Sequence, residues 1–339
     1  MITLKGKYNT AKVYNDNVDS KSQGQIINLL SNEAFEGSKI RIMPDVHAGA
    51  GCVIGFTMEL KDKVVPNLVG VDIGCGVLTV KLKEKEIDFE KLDKVIKNKV
   101  PHGFSVHDTA NSVRRVKASN LRVKETFAEV DIDRATKSIG TLGGGNHFIE
   151  VGKDDEGYLY LFIHTGSRKF GLEIAKYHQN VAKNSNPHGD LSYLEDYAVD
   201  NYLHDMEIAQ KYAAENRIAI ASAIIGGMDL NIEDSFDTVH NYINMRDRIL
   251  RKGAVSAHKD EQLVIPLNMR DGVILAEGKG NEDWNYTAPH GAGRIYSRGQ
   301  AKRELSLEDF ETEMEGIYST SVSAKTLDES PMAYKKWAK

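Results

Sequence analysis

The sequence predicts an α+β fold, a single large domain over residues 1–339 in which mixed β-sheets are flanked by helices. Apolar alternation typical of strands recurs along the chain, but strands and helices do not alternate steadily as they do in doubly wound proteins. Helical periodicity is concentrated in one segment, about 172–250, inserted between strand-rich parts. No proline-rich linker, internal repeat or low-complexity tract divides the chain, and its 339 residues can bury a large core.

Short alternating or β-branched runs predict strands on both sides of the helical segment, and the first strand is expected to end at Pro44. The predicted strands are 40–43, 51–58, 78–82, 148–151, 158–164, 262–265 and 272–276. Between them, Tyr, Leu, Ile and Ala at helical spacing predict helices over 172–183, 191–225 and 238–249, the third of which would carry His240. Glycine-rich clusters follow several strands, where functional sites commonly lie.

The composition excludes several classes of protein. Hydrophobic residues make up 41% of the chain and charged residues 27%, which is typical of a globular enzyme and not of a disordered or fibrous chain. The net charge of −5 leaves no basic field over the whole surface, so nucleic acid would need a local patch. The densest basic stretch is Arg114, Arg115, Lys117, Arg122 and Lys124, which fits either an RNA backbone contact or a solvated face.

Two cysteines, Cys52 and Cys75, do not suggest a disulfide framework. The N-terminus has no apolar signal core, and no apolar run is long enough to span a bilayer. We therefore expect a protein of the reducing cytoplasm without membrane contact, in which a cysteine can remain a thiolate ligand.

Five residues in or near glycine-rich turns and strand ends predict a metal site. Asp72 and Cys75 lie three residues apart in one turn, His147 follows three glycines, and His164 ends a strand. With His240 they offer a carboxylate, a thiolate and three imidazoles, a set that suits zinc, manganese, iron or cobalt. A thiolate can bridge two ions, so a pair of metals is expected to fit. Each residue taken alone also fits a structural role, such as a small buried thiol.

A histidine in a small-residue turn predicts a nucleophile. His290 is followed by Gly291, Ala292 and Gly293, whose backbone N–H groups could form an anion nest, and then by Arg294, which could fork onto phosphate oxygens. A neutral imidazole nitrogen can attack phosphorus, and Asp45 could hold the ring in the required tautomer. A plain turn with a structural salt bridge is the competing interpretation.

Two more side chains bracket His147. Asn146 could contact phosphate, and Glu150 could accept N–H bonds from a purine edge, although Glu150 also fits an ordinary polar strand position. Arg168 and Arg294, close to the predicted metals, are candidates for binding terminal phosphates.

At this point the motifs resemble those of the RtcB-type RNA ligases, in the order of that family and over nearly the whole chain. The matching segments are MPDVHAGAG (43–51), VGVDIGCG (69–76), GTLGGGNHFIEV (140–151), HTGSR (164–168), HNY (240–242), RKGAVSA (251–257), HGAGR (290–294) and PMAYK (331–335). The resemblance implies an RtcB-like fold and an enzyme of RNA repair or tRNA splicing. Such an enzyme uses Mn²⁺ and GTP to join RNA 3′-phosphate or 2′,3′-cyclic phosphate ends to 5′-hydroxyl ends.

The resemblance also implies roles for individual residues. His290 matches the guanylylated histidine, Asp45 the carboxylate that steadies it, and Cys75 the bridge between two ions. The implied metal ligands are Asp72, Cys75, His147, His164 and His240, and the implied guanylate contacts are Asn146, Glu150 and Tyr334. A monomer is implied, while the natural RNA and the need for an activating partner such as archease stay open.

Two segments depart from the family pattern. The usual Pro-Gly-Ser-Met-Gly turn after the strand at 262–265 is replaced by Pro-Leu-Asn-Met-Arg-Asp at 266–271, and the sequence stops at Lys339, where relatives continue to a base-contacting lysine. Both changes leave the preference for guanine open. They motivate two alternatives, a metal-dependent phosphatase or cyclic phosphodiesterase acting on RNA ends, and a catalytically silent protein that binds RNA ends.

Overall fold

The protein is described by a computed structural model over residues 1–109 and 121–336. Its mixed sheets and packed helices confirm the α+β class. The strands of the first part are β1 (Ile2–Lys5), β2 (Thr10–Val13), β3 (Ile40–His47), β4 (Ile54–Glu59) and β5 (Gly76–Leu82). They are followed by β6 (Phe148–Lys153), β7 (Leu159–Thr165), β8 (Ile232–Val239), β9 (Asn241–Asn244) and β10 (Ile249–Lys252). The last are β11 (Ala254–Ser256), β12 (Gln262–Asn268), β13 (Gly272–Glu277) and β14 (Thr287–Pro289).

The α-helices of the described residues flank these sheets. They are α1 (Ser20–Leu30), α2 (Phe89–Lys99), α3 (Ile132–Ser138), α4 (Arg168–Ser185), α5 (Tyr197–Met228), α6 (Arg298–Glu304) and α7 (Leu307–Glu313). The first begins where the side chain of Asp19 accepts a hydrogen bond from the Ser22 backbone N–H, which satisfies a free donor of the first turn. Within the described ranges, no helix combines the length and apolar character needed to cross a bilayer.

Two sheets form the centre of the molecule. The larger has the order β1-β2-β3-β4-β10-β9 and is mixed, because β2 and β3 run parallel while its other pairs are antiparallel. The smaller, β6-β7-β5-β8, is antiparallel throughout. Two separate antiparallel pairs, β11 with β14 and β12 with β13, lie beside them.

The long helix α5 packs on the smaller sheet and against α2 and α4. Its sequence is rich in Ala, Ile, Leu and Met, which favour a helix, and its aromatic residues Tyr202 and Tyr212 are fully buried in the largest apolar core. Ile220 and Ile224, further along the helix, belong to a second core under the smaller sheet. The helix therefore forms a rigid support below the ends of β5 and β7.

The helices predicted at 172–183 and 191–225 are confirmed by α4 and α5, but the helix predicted at 238–249 is wrong. That segment holds the end of β8, then β9, a turn and the start of β10. Tyr242 and Ile243 pair with Arg251 and Leu250 across a hairpin, and Arg248 takes a positive φ of 54° in the turn. Aromatic and β-branched side chains fit a half-buried sheet surface, so pairing outweighs the local helical spacing.

The predicted end of the first strand at Pro44 is also wrong, because β3 continues to His47. The register with β4 is irregular between Ile42 and His47, and proline is tolerated there because no regular ladder bond is lost. This irregular segment carries Asp45.

Candidate metal and nucleotide site

The register of the smaller sheet brings three predicted metal ligands to one edge. Gly76, the first residue of β5, pairs with Thr165 at the end of β7 and with Val239 at the end of β8. The neighbouring Cys75, His164 and His240 therefore meet, although up to 165 positions separate them in sequence. A further hydrogen bond, from the His240 N–H to the Cys75 carbonyl at 2.9 Å, fixes this edge.

Cys75 belongs to two groups of potential ligands. In the first, His147 Nε2 lies 2.9 Å from Asp72 Oδ2 and 3.5 Å from Cys75 Sγ. In the second, His164 Nε2 lies 3.3 Å from Cys75 Sγ and 3.4 Å from His240 Nε2. Within each group the donor atoms lie within 4.8 Å of one another. One sulfur thus faces two sets of donors.

Backbone carbonyls orient two of the imidazoles. Nδ1 of His147 lies 2.9 Å from the Leu142 carbonyl, and Nδ1 of His164 lies 2.9 Å from the Asn146 carbonyl. Because a carbonyl only accepts, each Nδ1 donates its proton to a carbonyl, and each Nε2 faces Cys75, where it can bind a cation once it carries no proton. This is the arrangement that a metal-binding histidine requires.

Burial sets the protonation of the cluster. It lowers the pKa of His164 to about 3, with a further contribution from nearby His147, and it lowers the pKa of His240 well below the ordinary value. Burial and the charge of Asp72 raise the pKa of the Cys75 thiol well above its ordinary range. Burial alone would raise the pKa of Asp72, but the contact with His147 outweighs it and the value falls to about 2.

These protonation states fit a divalent cation. Neutral imidazoles at neutral pH offer free lone pairs, and a bound cation displaces the proton of a coordinating thiol. Carboxylate oxygen, thiolate sulfur and imidazole nitrogen together suit borderline ions such as manganese, zinc, iron or cobalt. The residues present therefore fit a metal centre in which Cys75 is shared.

Two adjacent residues of α5 hold the turns that carry these ligands. The buried guanidinium of Arg217 donates to the carbonyls of Gly74 and Thr165, both at 2.8 Å, and pairs with Asp237. Sequence reasoning missed this residue and its neighbour Asn216, although a polar pair inside an Ala- and Ile-rich helix was a visible signal.

Asn216 ties the turn before His147 to the turn after His164. Its side-chain oxygen accepts from the N–H groups of Gly140 and Thr141 at 2.7 and 3.1 Å, and its amide nitrogen donates to the carbonyls of Thr141 and Gly166. All of these groups are buried and paired, so the helix fixes the spacing between the two turns.

The predicted nucleophile lies beside this cluster. The ring centroids of His290 and His240 are 5.1 Å apart. The expected contact with Asp45 is present: Asp45 Oδ2 lies 2.7 Å from His290 Nδ1 and accepts from the His290 backbone N–H at 3.2 Å. Asp45 is 2% exposed. Its ionised carboxylate holds the Nδ1 proton and leaves Nε2 of His290 as the free nitrogen.

Neighbouring segments fix Asp45 from both sides. The ammonium of Lys335 donates to the carbonyls of Pro44 and Val46, both at 3.3 Å, so it clamps the irregular stretch of β3. Gly293 has a φ of 78°, and a Cβ there would lie 2.7 Å from the Asp45 carbonyl oxygen. The glycine is therefore required by close backbone approach as well as by its φ.

The contacts of Arg294 and Ala292 differ from the expected phosphate cradle. Arg294 donates to the carbonyls of Tyr296 and Asp328 at 3.0 and 2.6 Å and to the Tyr334 hydroxyl at 3.1 Å. The Ala292 N–H donates to the Pro266 carbonyl at 3.2 Å. Because these donors already have protein partners, the geometry favours a role for Arg294 in positioning Tyr334 over a fork onto phosphate.

Two residues expected to contact a guanylate differ in their surroundings. Asn146 is exposed, while Glu150 is half-buried in β6 and faces Gly272, where a Cβ would lie 3.7 Å from its Oε1. Burial raises the pKa of Glu150 to about 7. His47 was missed by sequence reasoning: its Nδ1 lies 2.9 Å from the Asp45 carbonyl, and burial lowers its pKa. Its place two residues after Asp45 in a strand-like run was the available signal.

Comparison with known proteins agrees with this geometry. The sequence model of a family described as tRNA-splicing ligase RtcB matches residues 25–339. The chain belongs to the RtcB family. It is 29% identical to the RNA-splicing ligase RtcB of Escherichia coli (strain K12) over 362 aligned residues, covering 94% of this chain and 88% of that protein. It is 27% identical to the tRNA-splicing ligase RtcB of Aeropyrum pernix, covering 87% of this chain and 81% of the relative.

The segment 266–271, which is expected from the resemblance to depart from the family pattern, is held by its own side chains. In the turn between β12 and β13, Asn268 Oδ1 accepts from the N–H groups of Arg270 and Asp271 at 3.0 and 2.9 Å. Arg270 also pairs with Asp271 at 2.8 Å and with Glu313 of α7. Side chains thus stabilise the turn between β12 and β13.

The expected basic patch can be followed only in part. Arg114, Arg115 and Lys117 lie outside the described residues. Arg122 pairs with Glu125 at 2.6 Å and lies 3.2 Å from His204 Nε2, which is typical of a solvated surface network.

Proposed function

We propose that this protein is a GTP- and Mn²⁺-dependent RNA ligase that joins RNA 3′-phosphate or 2′,3′-cyclic phosphate ends to 5′-hydroxyl ends through a covalent histidine–GMP intermediate. The observation that supports this most strongly is the position of His290: its Nδ1 is held by Asp45, and its ring lies against a ligand cluster that shares Cys75. A simple structural turn would need neither the buried carboxylate nor the adjacent donors.

In the first step, Nε2 of His290 attacks the α-phosphorus of GTP, the new N–P bond forms, and pyrophosphate leaves. The ring becomes an imidazolium, and Asp45 balances its charge through the 2.7 Å contact with Nδ1. An oxygen of the RNA 3′-phosphate then attacks the same phosphorus and releases neutral His290. Finally the 5′-hydroxyl attacks the activated 3′-phosphate, its proton passes to solvent water, the new phosphodiester bond forms, and GMP leaves.

Two manganese ions held by Asp72, Cys75, His147, His164 and His240 would withdraw charge from the phosphate oxygens during these in-line displacements. A cyclic phosphate is first opened by water. We assign Glu150, Asn146 and Tyr334 to the guanylate, and Arg168, whose Nη1 lies 3.4 Å from His147 Nδ1, to a terminal phosphate.

The substrate is an RNA whose two ends carry these groups, and we place the reaction in the reducing cytoplasm because an oxidised Cys75 could not bind metal. A monomer would suffice because each proposed residue comes from one chain, and comparing activity with and without an archease-type protein tests the need for an activating partner. We infer these points from the site chemistry and from the family.

The altered turn at 266–271 supports one second candidate, a metal-dependent phosphatase or cyclic phosphodiesterase that acts on RNA ends without ligation. The turn now binds its own side chains, with Asn268 closing it and Arg270 paired to Asp271. Such an enzyme would keep the metal ligands and dispense with the nucleotide.

The test is incubation with radiolabelled GTP and Mn²⁺, followed by denaturation and peptide mapping. We expect an acid-labile GMP adduct on His290 that is absent from His290→Ala and unchanged in the control His188→Ala, an exposed histidine of a loop. RNA carrying a 3′-phosphate and a 5′-hydroxyl should then give joined product. Loss of the phosphate without joining, in a protein that takes no label, would instead establish the phosphatase.

A further inference from the structure

Phe104 is the most exposed large apolar side chain of the described residues, at 95% of its full accessible surface. It lies in the turn after α2, at residues 102–105. A single exposed apolar residue is common and needs no explanation by itself. Phe104 differs from other exposed apolar residues in two respects, the fixed backbone that carries it and the basic side chains that contact this backbone.

The backbone on both sides of the ring is fixed. The Phe104 carbonyl accepts from Arg134 Nη2 at 2.8 Å, and the preceding Gly103 donates its N–H to the Gly143 carbonyl at 2.7 Å. The Gly103 carbonyl accepts from Arg168 Nη2 at 3.3 Å. The ring is therefore presented to solvent by a turn with three tertiary hydrogen bonds rather than by a free loop.

Those hydrogen bonds connect Phe104 to the candidate metal site. Gly143 belongs to the same glycine-rich turn as His147, and a Cβ at Gly144 would lie 3.8 Å from the Gly103 Cα. The guanidinium of Arg168 spans the remaining gap, with Nη2 on Gly103 and Nη1 3.4 Å from His147 Nδ1. The turn that carries Phe104 therefore lies at the edge of the site, and the guanidinium of Arg168 lies between this turn and His147, a proposed metal ligand.

The charges nearby favour an anionic polymer. Over residues 1–109 and 121–336, neither Arg134 nor Arg168 lies within ion-pair distance of a carboxylate, although many other basic side chains there do. The nearby charge of Asp72 acts on Arg168 over a longer distance. Two guanidinium groups bound to the backbone of a turn that exposes an aromatic ring form a combination with which proteins bind single-stranded nucleic acids, since the phosphate backbone attracts cations and the bases stack on flat apolar surfaces.

We propose that Phe104 stacks on an unpaired base close to the RNA end that enters the metal site. The inference rests on the proposed function, because it assumes that the site acts on RNA. Stacking is tolerant of base identity, so Phe104 holds the terminal segment in place without selecting a sequence. Arg134 and Arg168 supply the adjacent phosphate contacts.

The experiment compares Phe104→Ala and Phe104→Trp with the wild type in two separate assays. Binding of a single-stranded RNA with a 3′-phosphate is measured by fluorescence anisotropy, and guanylylation is measured with GTP and Mn²⁺ in the absence of RNA. Stacking contributes about 1–3 kcal/mol per base, so Phe104→Ala should weaken RNA binding about 5- to 150-fold. Phe104→Trp keeps an aromatic ring and should bind RNA as the wild type does. Guanylylation should be unchanged in both variants.

A matched control is Tyr197→Ala. Tyr197 is 78% exposed at the first turn of α5, nineteen residues before Asn216 and therefore about 28 Å from it along the helix axis. Its loss should leave RNA binding unchanged. An RNA series with one abasic sugar at successive positions locates the stacked base, because the penalty of Phe104→Ala should vanish for one position only.

Wild-type affinity of Phe104→Ala for every RNA of the series would overturn the proposal, as would an equal penalty for all abasic positions. Failure of the proposed function gives a different result, because a wild-type protein that takes no GMP label can still be scored for RNA binding. The two ideas can therefore fail independently.

Discussion

Replacement of Asp45 by asparagine isolates the contribution of one carboxylate to the nucleophile. Asp45 is 2% exposed, and its Oδ2 accepts from both the Nδ1 and the backbone N–H of His290. Asparagine has nearly the same shape but no charge. If its amide nitrogen faces the ring, it donates to Nδ1, which moves the ring proton to Nε2 and removes the attacking lone pair.

The expected size of the effect follows from these contacts. A hydrogen bond to a charged group contributes about 1.5–3 kcal/mol, and loss of the carboxylate also leaves the imidazolium formed during attack without a counter-charge. Together with the altered tautomer, the guanylylation rate should fall roughly 100- to 10,000-fold, since each 1.36 kcal/mol of barrier is a factor of ten.

The assay is single-turnover guanylylation of Asp45→Asn with GTP and Mn²⁺. A matched control is Asp283→Asn, which removes a surface carboxylate whose ion-pair partners are Lys12 and Arg41 rather than His290. The control should label at the wild-type rate, and circular dichroism should show both variants folded. Labelling of Asp45→Asn within threefold of the wild type would refute the proposed role of the carboxylate.

Two further predictions concern the support of the site and its pH dependence. Arg217→Met leaves Asp237 and two carbonyls without their partner, so we expect a loss of about 3 kcal/mol in unfolding free energy and about 10- to 100-fold weaker Mn²⁺ binding, with partial recovery in Arg217→Lys. Unchanged Mn²⁺ affinity by calorimetry would contradict it. Glu150 has a folded-state pKa raised by burial to about 7, so its ionisation should destabilise the wild type as pH rises from about 4.5 to 7. Glu150→Gln should lack that loss. In urea unfolding it should therefore be more stable than the wild type by on the order of 2 kcal/mol at pH 8, but not at pH 4.5. If the unfolding free energies of the two proteins change with pH in parallel, the assignment to Glu150 is wrong.

The sequence predicted which side chains come together better than it predicted the elements that carry them. His240 was expected on a helix because residues 238–249 have helical spacing, yet Val239 pairs with Gly76 more than 160 positions away. Local periodicity contains no information about such a pairing. The glycines around Cys75 and His147 did indicate compact turns, because few other residues allow so close an approach of backbone to ligand.

The predicted phosphate-binding turn at 291–294 shows what the sequence could not predict, namely the partners of its donors. Arg294 and Ala292 have the right chemistry for an anion, but their donors bind the carbonyls of Asp328 and Pro266, which are remote in sequence. The support from Asn216 and Arg217 was hidden for the same reason: a buried polar pair is visible in the sequence, but its carbonyl partners are not.

Cobalt(II) titration followed by near-ultraviolet absorption tests most directly whether Cys75 lies at the centre of a metal site beside His290. Because Cys75 contributes to both ligand groups, we expect a thiolate-to-cobalt charge-transfer band that grows up to two equivalents of metal, disappears in Cys75→Ser and persists in Cys52→Ser, the matched change at the other cysteine. A wild-type protein without the band, or a Cys75→Ser variant that keeps it, would contradict the proposed centre.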